Sequence, residues 1–155
     1  MKRPVGIVRL SLRVEGRLVW TLEEKNLFVN AGLPALAALL GGDGSNQFAS
    51  VIGFGSNGTA PSLTDTALTA PYYFKALDSH SEDGQGSVIF NWSLEGSSDT
   101  GAVGITIQEL GLLANPTAVA LPGTTSPTVL LARKTISAIS FTSSMNLSGS
   151  WTLTF

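Results

Sequence analysis

Gly53-Phe-Gly-Ser-Asn-Gly58 has the G-x-G-x-x-G spacing that cradles a dinucleotide pyrophosphate, and Asp78 follows about twenty residues on, where the ribose-binding acid of such sites stands. That chemistry needs the third glycine to open a helix whose N-terminal N–H groups hold the phosphates. Thr59-Ala-Pro-Ser62 follows instead, with no strand–helix–strand repeat around it, so Asn57-Gly58 reads as a tight turn. His80 is the single histidine, in the polar run Asp78-Ser-His-Ser-Glu-Asp-Gly84. A Ser–His–Asp triad needs a marked nucleophile, and no G-x-S-x-G elbow is present. The run also lacks the D-x-[DN]-x-[DN]-G spacing of a calcium loop, so it is expected to be an exposed loop. Asp43, Asp65, Glu95, Asp99 and Glu109 are scattered, and no aromatic or polar surround marks two of them as a glycosidase pair. The chain has no cysteine, which removes disulfides, thiol chemistry and Cys-type zinc, and one histidine cannot make a multi-His metal site. No catalytic residue, cofactor or metal is therefore expected.

Glu109 is the unusual carboxylate. It sits in Ile105-Thr-Ile-Gln-Glu-Leu-Gly-Leu-Leu113 at strand spacing, on the face of Ile105 and Ile107. A buried carboxylate needs a partner, and Arg133 and Lys134 are the cations available in the second half of the chain. The expectation is a structural ion pair between Glu109 and Arg133, against an edge strand with Glu109 in water.

The elements that must hold these residues are mostly strands. Residues 5–14 alternate, with Leu10, Leu12 and Val14 opposite Arg9, Ser11 and Arg13. Glu15-Gly16 predicts a tight turn into a returning strand with Leu18, Trp20 and Leu22 on one face. Asn30 as N-cap, an early Pro34 and Gly41-Gly42 as a stop predict a short helix at about 30–41, apolar nearly all round. Such a helix should be buried, plugging one end of a sandwich, or set in a subunit interface. Further strands are expected at 49–54, 72–76, 88–94, 103–107, 129–132 and 136–141, and the chain closes on Trp151-Thr-Leu-Thr-Phe155. The alternation puts Trp20, Phe90, Trp92, Trp151 and Phe155 in the core. The fold class is mainly β: one domain over 1–155, an antiparallel β-sandwich or jelly roll with one short buried helix. Loop 115–127 carries three prolines, and its length suggests function or ordering by a neighbour.

Charge is sparse and uneven. Charged residues make up 13% of the chain, about half the usual share. Residues 1–25 hold six basic and three acidic groups, while the remaining 130 hold three and eight. Arg9, Arg13 and Arg17 are therefore read as partner-docking residues of a basic hairpin, meeting an acidic partner surface, against the plainer reading of a charge-protected edge. No aromatics interleave with the arginines and the net charge is −2, so no nucleic-acid partner is expected. No apolar run is long enough to span a membrane, and Arg9 and Arg13 interrupt any signal-peptide core.

The order of features resembles a pattern in small structural proteins of tailed bacteriophages. The pieces are Asn30-Ala-Gly-Leu33, Ile52-Gly-Phe-Gly55, Asp65-Thr-Ala-Leu68, Glu109-Leu-Gly-Leu112, Leu131-Ala-Arg133 and Trp151-Thr-Leu-Thr-Phe155. Together they span residues 30–155. The resemblance implies a non-enzymatic assembly role in the virion, homo-oligomeric, with a major capsid protein or a tail or baseplate protein as partner. A fibre protein would be expected to continue past Phe155 into a repeated shaft. The expectation therefore leans to a capsid decoration or cement protein, ahead of a tail-fibre attachment or baseplate adaptor. A carbohydrate-binding sandwich is the reading from another class, with Tyr72-Tyr73 or Trp92 as its aromatic platform.

Overall fold

The computed structural model describes residues 3–155; Lys2, counted above with the basic segment, lies outside the described residues. In chain order the elements are β1 (Val5–Val14), β2 (Arg17–Phe28), α1 (Gly32–Gly41), β3 (Ala49–Gly55), β4 (Pro71–Ala76), β5 (Ser79–Glu82), β6 (Ser87–Glu95), β7 (Thr106–Ala114), β8 (Val129–Ser140) and β9 (Met145–Thr154). The protein is mainly β, with every neighbouring pair antiparallel. The ladder runs through all nine strands in the order β4-β3-β7-β8-β2-β1-β9-β6-β5, curled into a half-barrel.

The two halves of this curl meet at a narrow seam. β2 pairs with β1 along its length, but with β8 only at Leu27↔Arg133 and Phe28↔Ala132. On either side of the seam, alternation sends Val8, Leu10, Trp92, Leu94 and Trp151 inward to meet Phe54, Ile107, Leu110 and Phe141 in one core. Phe54 and Trp92 touch edge to face, with ring centroids 5.5 Å apart.

Several expectations need correction. Trp20 is only half-buried: it packs against the core edge, but β2 leaves β8 after the seam and a cleft opens on that flank. Phe155 is 62% exposed: it lies past the end of β9, and only its backbone N–H is held, by the Gly86 carbonyl at 3.0 Å. Leu18 does not share the face of Trp20. Leu12 pairs with Trp20 and Arg13 with Leu18, so Val19 is a bulge that turns Leu18 outward. The helix is not buried. Only Gly32 and Ala35 are fully buried, Leu33 packs partly buried against the core, and Leu40 is 77% exposed. Its N-cap is Ala31, not Asn30, and no side chain caps it. The 129–132 and 136–141 runs form the single strand β8; the polar gap at Arg133 that separates them in sequence is a charged side chain turned inward. The strand expected at 103–107 begins only at Thr106, after a 3-10 turn at Thr100–Ala102.

The Glu15-Gly16 turn has both residues at positive φ, 49° and 80°, the geometry that matches strand twist in a two-residue hairpin. Loop 115–127 is ordered by its own chain. Asn115 bonds both backbone groups of Val119, and Gly123 exchanges backbone hydrogen bonds with Phe74 at 2.8 and 3.0 Å. The loop thus covers the outer edge of β4.

Candidate functional site

Glu109, on β7, is fully buried. Its Oε2 accepts from Arg133 Nε of β8 at 2.9 Å and from the Thr69 N–H at 3.1 Å, and its Oε1 accepts from the Ala70 N–H at 2.7 Å. Arg133 Nη2 lies 2.8 Å from the same Oε2, at an angle too poor for a hydrogen bond. Arg133 Nη1 donates to Asp65 Oδ2 at 3.0 Å, and that oxygen also accepts from the Ser62 N–H at 2.9 Å. Two strands and the 62–70 strap are therefore tied by one guanidinium between two carboxylates. Gly55 makes room for it, since a Cβ there would sit 2.5 Å from Glu109 Oε1. Gly53 and Gly111 do the same for Leu68, at 3.0 and 2.9 Å. Apart from Arg133 Nη2, which only touches Glu109 Oε2, the buried polar groups of Glu109 and Arg133 are bonded within the protein, so the cluster reads as a clamp.

A second buried carboxylate, Asp99, takes the Tyr73 hydroxyl at 3.2 Å, Lys75 Nζ at 2.8 Å and the Glu95 N–H at 2.9 Å. Burial first, and then the Asp99 carboxylate beside it, push the Tyr73 hydroxyl from 10.0 up to about 12.

The surface offers two apolar features, at opposite ends of the β1–β9 ladder. At the end where Val5 pairs with Thr154, α1, the 47–49 segment and strands β5, β6 and β9 enclose an open groove of about 450 Å³. Leu39, Phe48, Phe90 and Phe155 line it, and His80 and Glu82 stand at its polar side. Asp83 follows Glu82, and N–H groups of Ser87 and Gln85 hold its carboxyl below the usual carboxylate range. At the other end, where Val14 pairs with Met145, the hairpin tip presents Arg13, Arg17, Leu18 and Val19 to solvent. A smaller polar cleft of about 330 Å³ lies where β2 and β8 part, between Trp20, Leu22, Gln108 and Ile136, bridged by an ion pair of Lys134 with Glu24.

Arg9, Arg13 and Arg17 do not form one set. Arg9 pairs across the strands with Glu23 at 2.8 Å, both exposed, while Arg13 and Arg17 make no ion pair among the described residues. His80 belongs to the short edge strand β5 rather than a loop, 6.5 Å from the Phe90 ring. The glycine string 53–58 runs out of β3 into a turn where Asn57 Oδ1 accepts the Thr59 N–H at 2.7 Å, and no helix follows. Trp92 and Trp151 are in the core and Tyr73 is tied to Asp99, which leaves Tyr72 as the exposed ring of the aromatic platform. No group of three His, Cys, Asp or Glu side chains converges among the described residues, and no described helix is long and apolar enough to cross a membrane.

Besides the Asp99 site, sequence reasoning missed three features. Asp65 as third member of the clamp was signalled only by its place in the Asp65-Thr-Ala-Leu68 piece. The outward Leu18-Val19 pair had a signal: two consecutive apolar residues beside a turn break alternation. The groove had none, because its lining comes from seven separate parts of the chain. No family model, no curated protein and no solved structure matches this chain.

Proposed function

We propose that this chain is a non-enzymatic structural protein of a tailed-bacteriophage virion, acting as a capsid decoration or cement protein. One observation carries the reading. The pieces that resemble the phage pattern converge in space: Gly55, Asp65, Glu109 and Arg133, one from each of four pieces, form a single buried cluster, with Leu68 packed against Gly53 and Gly111. A shared pattern that builds a clamp and no reactive site suits a scaffold whose work is contact. The curl of the sheet supports a sandwich-like or jelly-roll packing of its halves, since Phe54 of β3 meets Trp92 of β6 across the core. Low charge and exposed apolar groups at both ends suit a protein packed against neighbours, other copies included.

The partner is a major capsid protein, or a tail or baseplate protein. The unlike ends of the molecule favour the second placement as the alternative, because unlike ends build rings. Cryo-electron microscopy of the intact particle tests both. Density at many copies over the shell supports cementing, and density in one ring at the tail moves the protein there. Particles lacking the chain overturn the virion reading.

A further inference from the structure

The two unlike ends fit each other. Of the large apolar side chains exposed on the described surface, Leu18 and Val19 crown the hairpin tip at 53% and 56% exposure, and Leu39, Phe48 and Phe155 open into the groove. The bulge at Val19 is what puts two adjacent apolar side chains outside. Arg13 and Arg17 flank them without an ion pair among the described residues, and Glu15 in the turn is the acid between them. The groove rim is acidic: Glu82 lines it, Asp83 adjoins it, and Asp43 follows the C-terminus of α1, whose last turn has no basic residue to offset its carbonyls, while Arg3, at the same end of the ladder, is bonded to Asn30 and does not line the groove. The nine residue steps from Val5 to Val14 set tip and groove about 30 Å apart along β1. The groove therefore lies out of reach of its own hairpin tip.

We infer that copies of this chain associate head to tail, the basic hairpin tip of one copy seating Leu18 and Val19 in the acid-rimmed apolar groove of the next. The contact buries apolar groups on both sides and places Arg13 and Arg17 against Glu82, Asp83 and Asp43. Being heterologous, it propagates, closing into a ring if the rotation per copy allows and otherwise running on as a filament. The inference rests on the assembly reading for its purpose and deepens it, naming a neighbouring copy as the acidic surface that the hairpin meets.

Sedimentation velocity of the purified full chain, from micromolar to about 100 µM, is the test. Wild type should form species beyond the dimer or one discrete ring, and association should weaken severalfold between low and high salt. Val19→Asp at the tip and Phe48→Asp at the groove should each give monomers, with far-UV spectra and melting curves near wild type because both side chains are exposed. The decisive mixture combines these two variants. One keeps a sound groove and the other a sound tip, so together they should form a one-to-one dimer and stop there. Arg17→Glu should weaken association at least tenfold, and Glu82→Arg added to it should restore most of the loss. A wild type that stays monomeric, a variant mixture that does not pair, or a Val19→Asp protein that assembles like wild type would overturn the contact. A monomeric chain found on the virion would sink this inference alone. Self-association of a chain absent from the virion would sink the virion reading and leave the contact standing.

Discussion

At the scale of single residues, the strongest commitments of the sequence are its buried charges. Glu109 and Arg133 are 0% and 1% exposed; Glu109 takes Arg133 Nε and two N–H groups of the strap, and Arg133 also bonds Asp65. Removing one member strands the other in the core. Glu109→Ala should therefore cost about 3–5 kcal/mol in denaturant unfolding, whereas Glu109→Leu with Arg133→Met should recover a substantial part of it. The recovery should be incomplete, because the N–H groups of Thr69 and Ala70 lose their acceptor. Tyr73 gives a pH prediction. Its folded hydroxyl lies near 12 against 10.0 unperturbed, so the stability it contributes is full below pH 10 and is lost as pH rises towards 12. Unfolding followed across that window should show a steeper alkaline loss in wild type than in Tyr73→Phe, and equal slopes would refute the assignment. Glu109 was legible from its sequence because a carboxylate at core spacing must find a cation and few cations exist. Asp99 was not, since it stands in the polar run Gly96-Ser-Ser-Asp-Thr-Gly101, where nothing marks a carboxylate as buried.

At the scale of elements, alternation located most strands and failed where local geometry changed parity. β6 and β9 show its success: Trp92, Leu94, Leu147, Trp151 and Leu153 all point inward. Trp92→Ala should lower stability by about 3–5 kcal/mol, read from chemical denaturation. An unchanged midpoint would mean that the phase of β6 is wrong. β2 shows the failure. The residues predict Leu18 and Trp20 on one face, but one extra residue at Val19 separates them. The helix shows a second kind of failure. Apolar residues on all sides of α1 suggest burial, yet only the flank at Gly32, Leu33 and Ala35 finds a core surface to pack on. Composition states what a helix could bury, and the neighbouring elements decide how much it does.

At the scale of the whole molecule, two halves share one core but only a two-residue seam. Backbone groups of β2 between Arg17 and Asn26 bond β1 on one side and have no strand on the other. In hydrogen exchange, alternate amides of that stretch should exchange orders of magnitude faster than those bonded to β1. Uniform protection along β2 would show that a further strand, from this chain or a second copy, fills the gap. The two outer edges are protected differently. Gly123 covers β4, and β5 is four residues long and polar.

Local chemistry along the chain dictates a definite share of this fold. Period-two alternation set the β class, Glu15-Gly16 set the hairpin turn, and the isolation of Glu109 among apolar residues required a buried cation. The tertiary structure alone decided how the strands order into a nine-stranded curl, that β2 and β8 touch for only two pairs, and that Leu39, Phe48 and Phe155 come together in a groove. These depend on contacts between residues far apart in the chain, where many pairings satisfy the same alternation and only the packing of the whole core selects one.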